Sequence, residues 1–400
     1  MCGIGVIGAS HAGLSAALAL RQEGYAGPLT IVGDEPLEPY DRPPLSKQVL
    51  TGEWARGDVM LPFDAEALGA EWRLGRAAIG LDAEARAVRL DDGSTQVFQD
   101  GVVIATGAKP RRGLGDALAG VHVLRTLDDS IALASDLAEG PRHVAIVGGG
   151  FIGAEVAAAC VALDVPVTIL EALSAPFERI LGPDLGDAVG AIHRSRGVEV
   201  RTGSLVERLR GDASARVTSV CLSGGDELAA DVVVLGIGVE PCTAWLQDSG
   251  LVIEDGVVCD PSCLAAPGVV VAGDVARWPS PDTGLLQRVE HWDNAIRQAG
   301  HAARRLLGHD VGRYAPVPWF WSDQYGRKLQ LVGTAAAYDE VEVVVGSIEA
   351  ERFVALFRRD DRLIGAFAIG CVRELNACRR LLADTAAWED AVNELVALGA

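Results

Sequence analysis

The chain is poor in several features that would place it in a common class. Only three of its 35 basic residues are lysines (Lys47, Lys109 and Lys328), and 55 acidic residues bring the formal net charge to −20. A balance this acidic excludes nucleic acid and anionic membrane as main partners, because both are bound by basic surfaces. No apolar run approaches the ~18 residues of a membrane span, and the longest, such as Val232–Val239, are strand-length. The N-terminal residues enter a strand at once, with no basic segment and cleavage site, so a cytoplasmic location is expected. The eight cysteines, Cys2, Cys160, Cys221, Cys242, Cys259, Cys263, Cys371 and Cys378, form no C-x-x-C pair, and Cys259 and Cys263 flank a D-P-S turn. Neither a metal centre nor a sequence-local redox disulfide is expected, and the thiols read as small core residues. Aromatic residues make up 5% of the chain, which singles out the cluster Pro-Trp-Phe-Trp-Ser-Asp at 318–323.

What the chain does have is length for two to three domains, 400 residues with 49% hydrophobic content. The stretch Ile4–Gly13, I-G-V-I-G-A-S-H-A-G, reads as a buried strand, a tight glycine turn and the start of a helix through Leu14–Leu20. That arrangement aims backbone N–H groups and the positive end of a helix dipole at a pyrophosphate. Gly8 and Gly13 keep two fingerprint glycines, while Ser10 replaces the middle one with a small residue able to donate. Leu29–Val32 reads as the next strand, and Asp34 follows it as an acid for an adenosine ribose. Ala105-Thr106-Gly107 closes the strand Val102–Ile104 with residues small enough for the chain to pass close to a nucleotide.

The pattern then recurs about 140 residues later. His143–Val147 is a strand, Gly148, Gly150 and Gly153 complete G-x-G-x-x-G, and Ala154–Leu163 is an apolar helix. Val167–Leu170 ends in Glu171, and Val232–Leu235 leads into Gly236-Ile237-Gly238. Two dinucleotide-binding units follow from this repetition. The Glu171 carboxylate suits both ribose hydroxyls and repels a 2′-phosphate, and no arginine follows at Ala172 or Leu173, so NADH is expected over NADPH.

Between and beyond the repeats, the proline-rich segment Pro36–Lys47 reads as a rigid loop that positions Lys47. Ala108–Gly120 reads as a connector. Val269–Val271 ends in Ala272-Gly273-Asp274, where Asp274 suits either a ribityl chain or pyrophosphate, or a helix N-cap. Glu290-His291-Trp292-Asp293-Asn294-Ala295 opens a helical pattern through Leu307, whose N-terminal donors favour negative charge. From Pro316 a smaller α+β domain is expected, with strands at Leu329–Val332, Val341–Val345, Phe353–Phe357 and Leu363–Ile369 and a helix over Glu374–Leu382. Trp319, Phe320 and Trp321 serve either as its core or as a shield for a flavin.

On these residues the chain resembles the FAD-dependent ferredoxin reductases that feed Rieske-type ring-hydroxylating dioxygenases or bacterial haem monooxygenases. The motifs that carry the resemblance are G-D-E-P-x-x-P-Y-D-R-P-P-L-S-K (33–47), A-T-G (105–107), L-R-T-L-D-D (124–129), G-G-G-F-I-G-x-E (148–155), G-I-G-V-E-P (236–241), A-G-D-V-A (272–276), E-H-W-D-N-A (290–295) and F-W-S-D-Q-Y-G (320–326). The resemblance implies an α/β fold of two Rossmann-like dinucleotide-binding domains, glutathione-reductase-like, plus a C-terminal α+β domain. The FAD domain would comprise 1–113 and 242–316, the NAD domain 114–241 and the C-terminal domain 317–400. It implies FAD contacts at Gly8, Ser10, Ala12, Gly13, Asp34, Lys47, Ala78, Thr106, Gly107, Arg125, Gly273, Asp274, Glu290, His291, Trp292 and Trp321. The NADH side would be lined by Gly148, Gly150, Ile152, Gly153, Glu155, Glu171 and Gly238. Cys242 departs from the asparagine of many members.

The chemistry so implied is hydride transfer from NADH to FAD, then release of single electrons to a 2Fe-2S ferredoxin. Lys47 would favour the negative charge of the reduced ring, and Glu155 would pair with Lys47 and orient the nicotinamide. An acidic ferredoxin is expected to dock on Arg304, Arg305, Arg313, Arg327 and Lys328, with the reductase a monomer or homodimer. A rubredoxin reductase, an NADH oxidase, a non-enzymatic NADH-sensing flavoprotein and a simple nicotinamide-nucleotide binder are the alternatives left open.

Overall fold

The computed structural model describes residues 2–115, 117–281 and 283–399; the side chain of Cys2 lies outside the described residues. The chain forms two compact units, one of Met1–Asp41, Val59–Lys109 and Val239–Pro318, the other of Arg42–Asp58, Pro110–Gly238 and Trp319–Ala400.

The first unit is built on parallel strands in the order Val269–Val271, Thr95–Ile104, Cys2–Ile7, Leu29–Gly33 and Glu71–Leu74. Helix His11–Gln22 returns from the opening strand and packs against helix Trp292–Leu306. The facing positions are small, with Ala12, Ala16, Ala299 and Ala302 all buried. Thr95–Ile104 is longer than the Val102–Ile104 expected from its apolar core, because its two halves meet different surroundings. Its outer half alternates exposed and buried in a meander with Ala78–Asp82 and Ala87–Leu90. Its inner half, from Gly101, is continuously buried between parallel neighbours, as central strands are.

The second unit repeats the plan with strands in the order Glu199–Arg201, Val167–Leu170, Val144–Val147, Val232–Leu235 and Val121–His122, all parallel. Its C-terminal part is a five-stranded antiparallel sheet in the order Trp319–Gln324, Arg327–Gly333, Arg362–Ile369, Arg352–Arg359 and Glu340–Ser347. The aromatic cluster is thus itself an edge strand. Two helices, Val372–Ala383 and Trp388–Gly399, cover one face through Leu375, Cys378, Leu381, Trp388 and Leu395. The second of them was not expected from the sequence. The other face, with Leu331, Phe353, Phe357 and Phe367, packs on Leu185, Val189 and Ile192 of helix Pro183–Ser195. The proline-rich segment 36–47 forms no regular helix; within it Pro43–Ser46 makes one 3₁₀ turn, with proline at the position where a missing N–H costs nothing.

His193, wholly buried on helix Pro183–Ser195, shares a 2.7 Å hydrogen bond through Nδ1 with the Tyr325 hydroxyl of the antiparallel sheet. Burial pushes its pKa down from 6.5 to about 4. The folded chain therefore resists a proton that the unfolded chain accepts, so stability is full above pH ~6.5 and falls as pH drops towards 4. Denaturant titrations of the wild type should lose on the order of 3 kcal/mol from this group between those limits. His193→Gln should flatten that part of the profile; an unchanged acid slope would contradict the assignment.

Candidate active site

In the first unit the strand ends are level. Ile7 lies beside Val32 and Ile104, and Ile104 beside Val271. Gly8, Asp34, Thr106, Gly107, Gly273 and Asp274 consequently leave the sheet at one edge, its carboxyl edge. The chain reverses direction across the sheet between Cys2–Ile7 and Thr95–Ile104, the switch point where such sheets take a nucleotide. Space there is reserved for backbone. Gly8 has φ +118, and a Cβ on it would lie 2.1 Å from the Ala105 carbonyl oxygen; one on Gly13 would lie 1.8 Å from the Gly8 carbonyl oxygen. The helix therefore starts hard against its own turn. Ser10 is its N-cap residue in extended conformation, and its hydroxyl does not cap it. The first N–H groups of the helix thus have no partner within the helix.

The later motifs close the same edge. A Cβ on Gly273 would stand 2.9 Å from the Ala12 methyl, so the two pieces of chain meet there. Gly273–Val275 is a 3₁₀ turn whose N-cap is Ala272, so Asp274 is not an N-cap. The turn is held by the buried Gln298, whose Oε1 accepts from the Gly273 N–H at 2.9 Å, and by Arg288, which donates to the Asp274 carbonyl at 3.3 Å. Thr106 Oγ1 donates to the Cys242 carbonyl at 3.0 Å, and the Cys242 N–H donates to the Gly107 carbonyl at 2.9 Å. This tie uses the backbone of residue 242. Asp34 is exposed at the strand end and accepts from the Glu35 N–H at 3.1 Å.

Trp292, the first residue of its helix, donates from Nε1 towards Asp41 Oδ1 and His11 Nε2, each at 2.9 Å, while His11 Nε2 and Asp41 Oδ1 are 2.8 Å apart. Three motifs distant in sequence meet in this triangle. Its members His11 and Asp41 were not singled out from the sequence, although each sits inside a motif that was. The neighbouring His291 is half-buried, and desolvation of its ring pushes its pKa down to about 4 and keeps it neutral, and Glu290 pairs with Arg288 at 2.5 Å. Ala78 opens the strand Ala78–Asp82 and is half-buried.

The second unit repeats the glycine geometry. Gly148 has φ +105, and its Cβ would lie 2.4 Å from the Gly236 carbonyl oxygen; that of Gly153 would lie 2.2 Å from the Gly148 carbonyl oxygen. A Cβ on Gly150, by contrast, would meet nothing within 4 Å. Glu171 accepts from the Gly149 N–H at 2.7 Å through Oε2 and from the Leu173 N–H at 2.9 Å through Oε1, so its carboxylate lies across the glycine turn. Ile152 and Gly238 are exposed at the same carboxyl edge.

The same unit holds Lys47 and Glu155. Glu155 projects from helix Phe151–Ala162 and is only 5% exposed. Lys47 Nζ lies 2.7 Å from its Oε1 and donates to the Pro43 carbonyl at 3.1 Å. Ser46 donates to Glu155 Oε2, and Ser322 to Oε1 at 2.7 Å. Arg42 donates to the Arg125 carbonyl at 2.5 Å, and Ser130 to the Leu45 carbonyl at 2.6 Å, so helix Leu127–Ala138 anchors the loop that carries Lys47.

Residues 4–299 match the pyridine nucleotide-disulphide oxidoreductases, and residues 319–394 match the reductase C-terminal family. The chain belongs to the pyridine nucleotide-disulphide oxidoreductase family. This oxidoreductase is 36% identical over 386 residues to rhodocoxin reductase of Rhodococcus erythropolis, covering 94% of this chain and 88% of that protein. It is 38% identical over 382 residues to the ferredoxin–NAD(+) reductase component of the p-cumate 2,3-dioxygenase system of Pseudomonas putida, covering 94% and 92%. Among solved structures, it superposes on the ferredoxin reductase of the CYP199A2 system from Rhodopseudomonas palustris with a TM-score of 0.92, at 31% identity over 100% of both chains. It superposes on the covalent putidaredoxin reductase–putidaredoxin complex with a TM-score of 0.91, at 29% identity over 100% of this chain and 99% of the other.

The remaining expected residues lie elsewhere on the oxidoreductase. Trp321 stacks on Trp319 at 4.9 Å between ring centroids, with Lys328 over its face. Phe320, on the opposite face of the strand, meets Phe151 at 4.3 Å. Of the expected docking residues, Arg304 pairs with Glu23, Arg327 with Glu351 and Lys328 with Asp323, Arg305 donates to Ser262, and Arg313 is exposed. Cys259 and Cys263 are buried and adjoin across the D-P-S turn, and this contact together with burial pushes the Cys263 thiol up. A buried thiol whose pKa is raised is the reverse of an activated one. Among the described residues no His/Cys/Asp/Glu group suits a metal ion, and no helix is long and apolar enough to cross a membrane.

The two outer glycines of the second cradle and its middle glycine should respond differently to a methyl group. Gly153→Ala is expected to lower the melting temperature by 10 °C or more on the order-of-magnitude scale of backbone clashes. Gly150→Ala should melt with the wild type yet bind NADH at least about tenfold more weakly by calorimetry. Wild-type NADH affinity in Gly150→Ala would show that no phosphate approaches that turn.

Proposed function

We propose that this oxidoreductase is an NADH-dependent, FAD-containing ferredoxin reductase that supplies single electrons to a 2Fe-2S ferredoxin of an oxygenase system. The observation that carries the reading is the twofold occurrence of a compressed glycine turn at a sheet switch point, one in each unit. The first turn fits FAD. The first N–H groups of helix His11–Gln22, which the Ser10 side chain does not cap, suit the pyrophosphate, Asp34 the adenosine ribose, and Asp274 the ribityl side. The second fits NADH, with Gly150 open to the pyrophosphate and the Glu171 carboxylate, fixed at the end of its strand by two backbone N–H groups, suited to the ribose. The names of relatives that serve dioxygenases and redoxin partners support the choice of a ferredoxin.

FAD bound in the first cradle supplies a centre that takes two electrons together and gives them up singly. The protein's own work is positioning and charge. Lys47 holds its ammonium on Glu155 and offers positive charge to the reduced ring. Glu155 orients the nicotinamide through the same carboxylate. Trp292, fixed by Asp41 and His11, would hold the ring on one side. Glu171 excludes a 2′-phosphate by charge, which makes NADH the donor. The acidic ferredoxin docks on arginines despite the net charge of −20, and that attraction weakens with salt.

The test is an anaerobic absorption titration of purified holoprotein. A flavin spectrum that NADH bleaches, and that an oxidised 2Fe-2S ferredoxin restores with two equivalents, is the expected result. NADH should exceed NADPH in specificity constant by at least about tenfold. A colourless protein, or a flavin that only oxygen or rubredoxin reoxidises, would contradict the reading.

A further inference from the structure

The carboxylate of Glu155 is not held by its own segment alone. Ser322 is wholly buried on the edge strand Trp319–Gln324 of the C-terminal sheet, and it donates to Glu155 Oε1, the same oxygen that receives Lys47. Its own hydroxyl oxygen accepts from Gln324 Nε2 at 3.0 Å, and Gln324 is itself 2% exposed. The donor is therefore oriented, since the Gln324 amide occupies one lone pair and leaves the proton for the carboxylate.

The position of Ser322 is set by the contact beside it. Phe151 and Glu155 are one turn apart on helix Phe151–Ala162, a rise of ~6 Å. Phe320 and Ser322 are two residues apart on one face of the strand, a rise of ~6.7 Å. The two steps nearly match. Locking Phe320 onto Phe151, at 4.3 Å between ring centroids, thus brings Ser322 onto Glu155. Asp323, on the other face, is engaged by Lys328 at 3.1 Å, so the only charged side chain paired with Glu155 among the described residues is Lys47.

We infer that Ser322 is a positioning residue through which the C-terminal module fixes the Glu155 carboxylate, and with it the Lys47 ammonium. Without that donor Oε1 is left to the flexible Lys47 side chain and Oε2 to Ser46, so the carboxylate turns more freely about its last torsion. Lys47 then leaves its buried pairing more often. The inference rests on the role given above to Lys47, but its test does not. Only three lysines are present, so pulse acetylation followed by mass spectrometry resolves each one. Lys47, 13% exposed, should label slowly in the wild type, and Lys109, 59% exposed, serves as the internal reference.

In Ser322→Ala holoprotein, Lys47 should acetylate on the order of tenfold faster relative to Lys109, as expected for one lost hydrogen bond to a charged group. Its NADH-driven flavin reduction should slow while the bound FAD stoichiometry is retained. An unchanged Lys47 labelling rate would overturn the inference. Should Ser322→Ala fail to fold, Ser322→Cys decides, because the thiol is of similar size and a weaker donor: faster Lys47 labelling supports the inference, and the wild-type rate overturns it. A wild-type flavin that NADH does not reduce would instead defeat the reading of the enzyme, leaving the labelling result to stand by itself.

Discussion

A carboxylate taken out of water must be met by donors, and Glu155 is met by three. Ser46 and Lys47, adjacent on one loop, and Ser322 on the distant edge strand converge on its two oxygens. Removing one partner of such a buried pair leaves an uncompensated charge and costs about 3–5 kcal/mol. The loop, the helix and the edge strand are thereby obliged to keep one arrangement. The ammonium is held in place without being neutralised in solvent.

The two glycine cradles work on a different principle. Each brings the start of a helix so close to a strand end that no side chain fits at its outer positions, as Gly8 with Gly13 and Gly148 with Gly153 show. The middle position distinguishes them. Ser10 at the first turn is an N-cap in extended conformation, whereas Gly150 at the second faces open space. One cradle therefore adds a hydroxyl to its rim and the other leaves its rim bare. Buried polar residues behind the first cradle, Gln298 on the Gly273 N–H and Asn294 on Gln298 at 3.3 Å, hold the returning chain to the same edge.

Much of this was legible in the sequence because the determining interactions are local. A strand, a glycine turn and a helix occupy about twenty residues and give the cradle, while the acid and the closing small residues are each marked by the end of a further apolar strand. Glu155 and Lys47 were reached through motifs, not through periodicity. What stayed hidden depends on long-range register. The triangle of His11, Asp41 and Trp292 joins residues 30 and 281 positions apart. The use of Ser322 depends on which face of an edge strand meets which turn of a helix. The aromatic run at 318–323 was ambiguous because both faces of its strand are used, Phe320 inward on Phe151 and Trp321 on Trp319. The contact between Cys259 and Cys263 arises from a turn at Asp260, whose carboxylate accepts from the Ser262 and Leu264 N–H groups, a geometry that spacing alone does not reveal.

The account stands on Lys47 and Glu155 acting as one unit. A double-mutant cycle on anaerobic flavin reduction by NADH, with Lys47→Met, Glu155→Gln and the double variant compared by stopped flow, measures this directly. If the pair acts together, the double variant reduces no more slowly than the slower single variant, since the second substitution removes nothing that the first had left. Penalties that multiply in the double variant would mean that the two side chains act independently, and the buried pair would then be structural only.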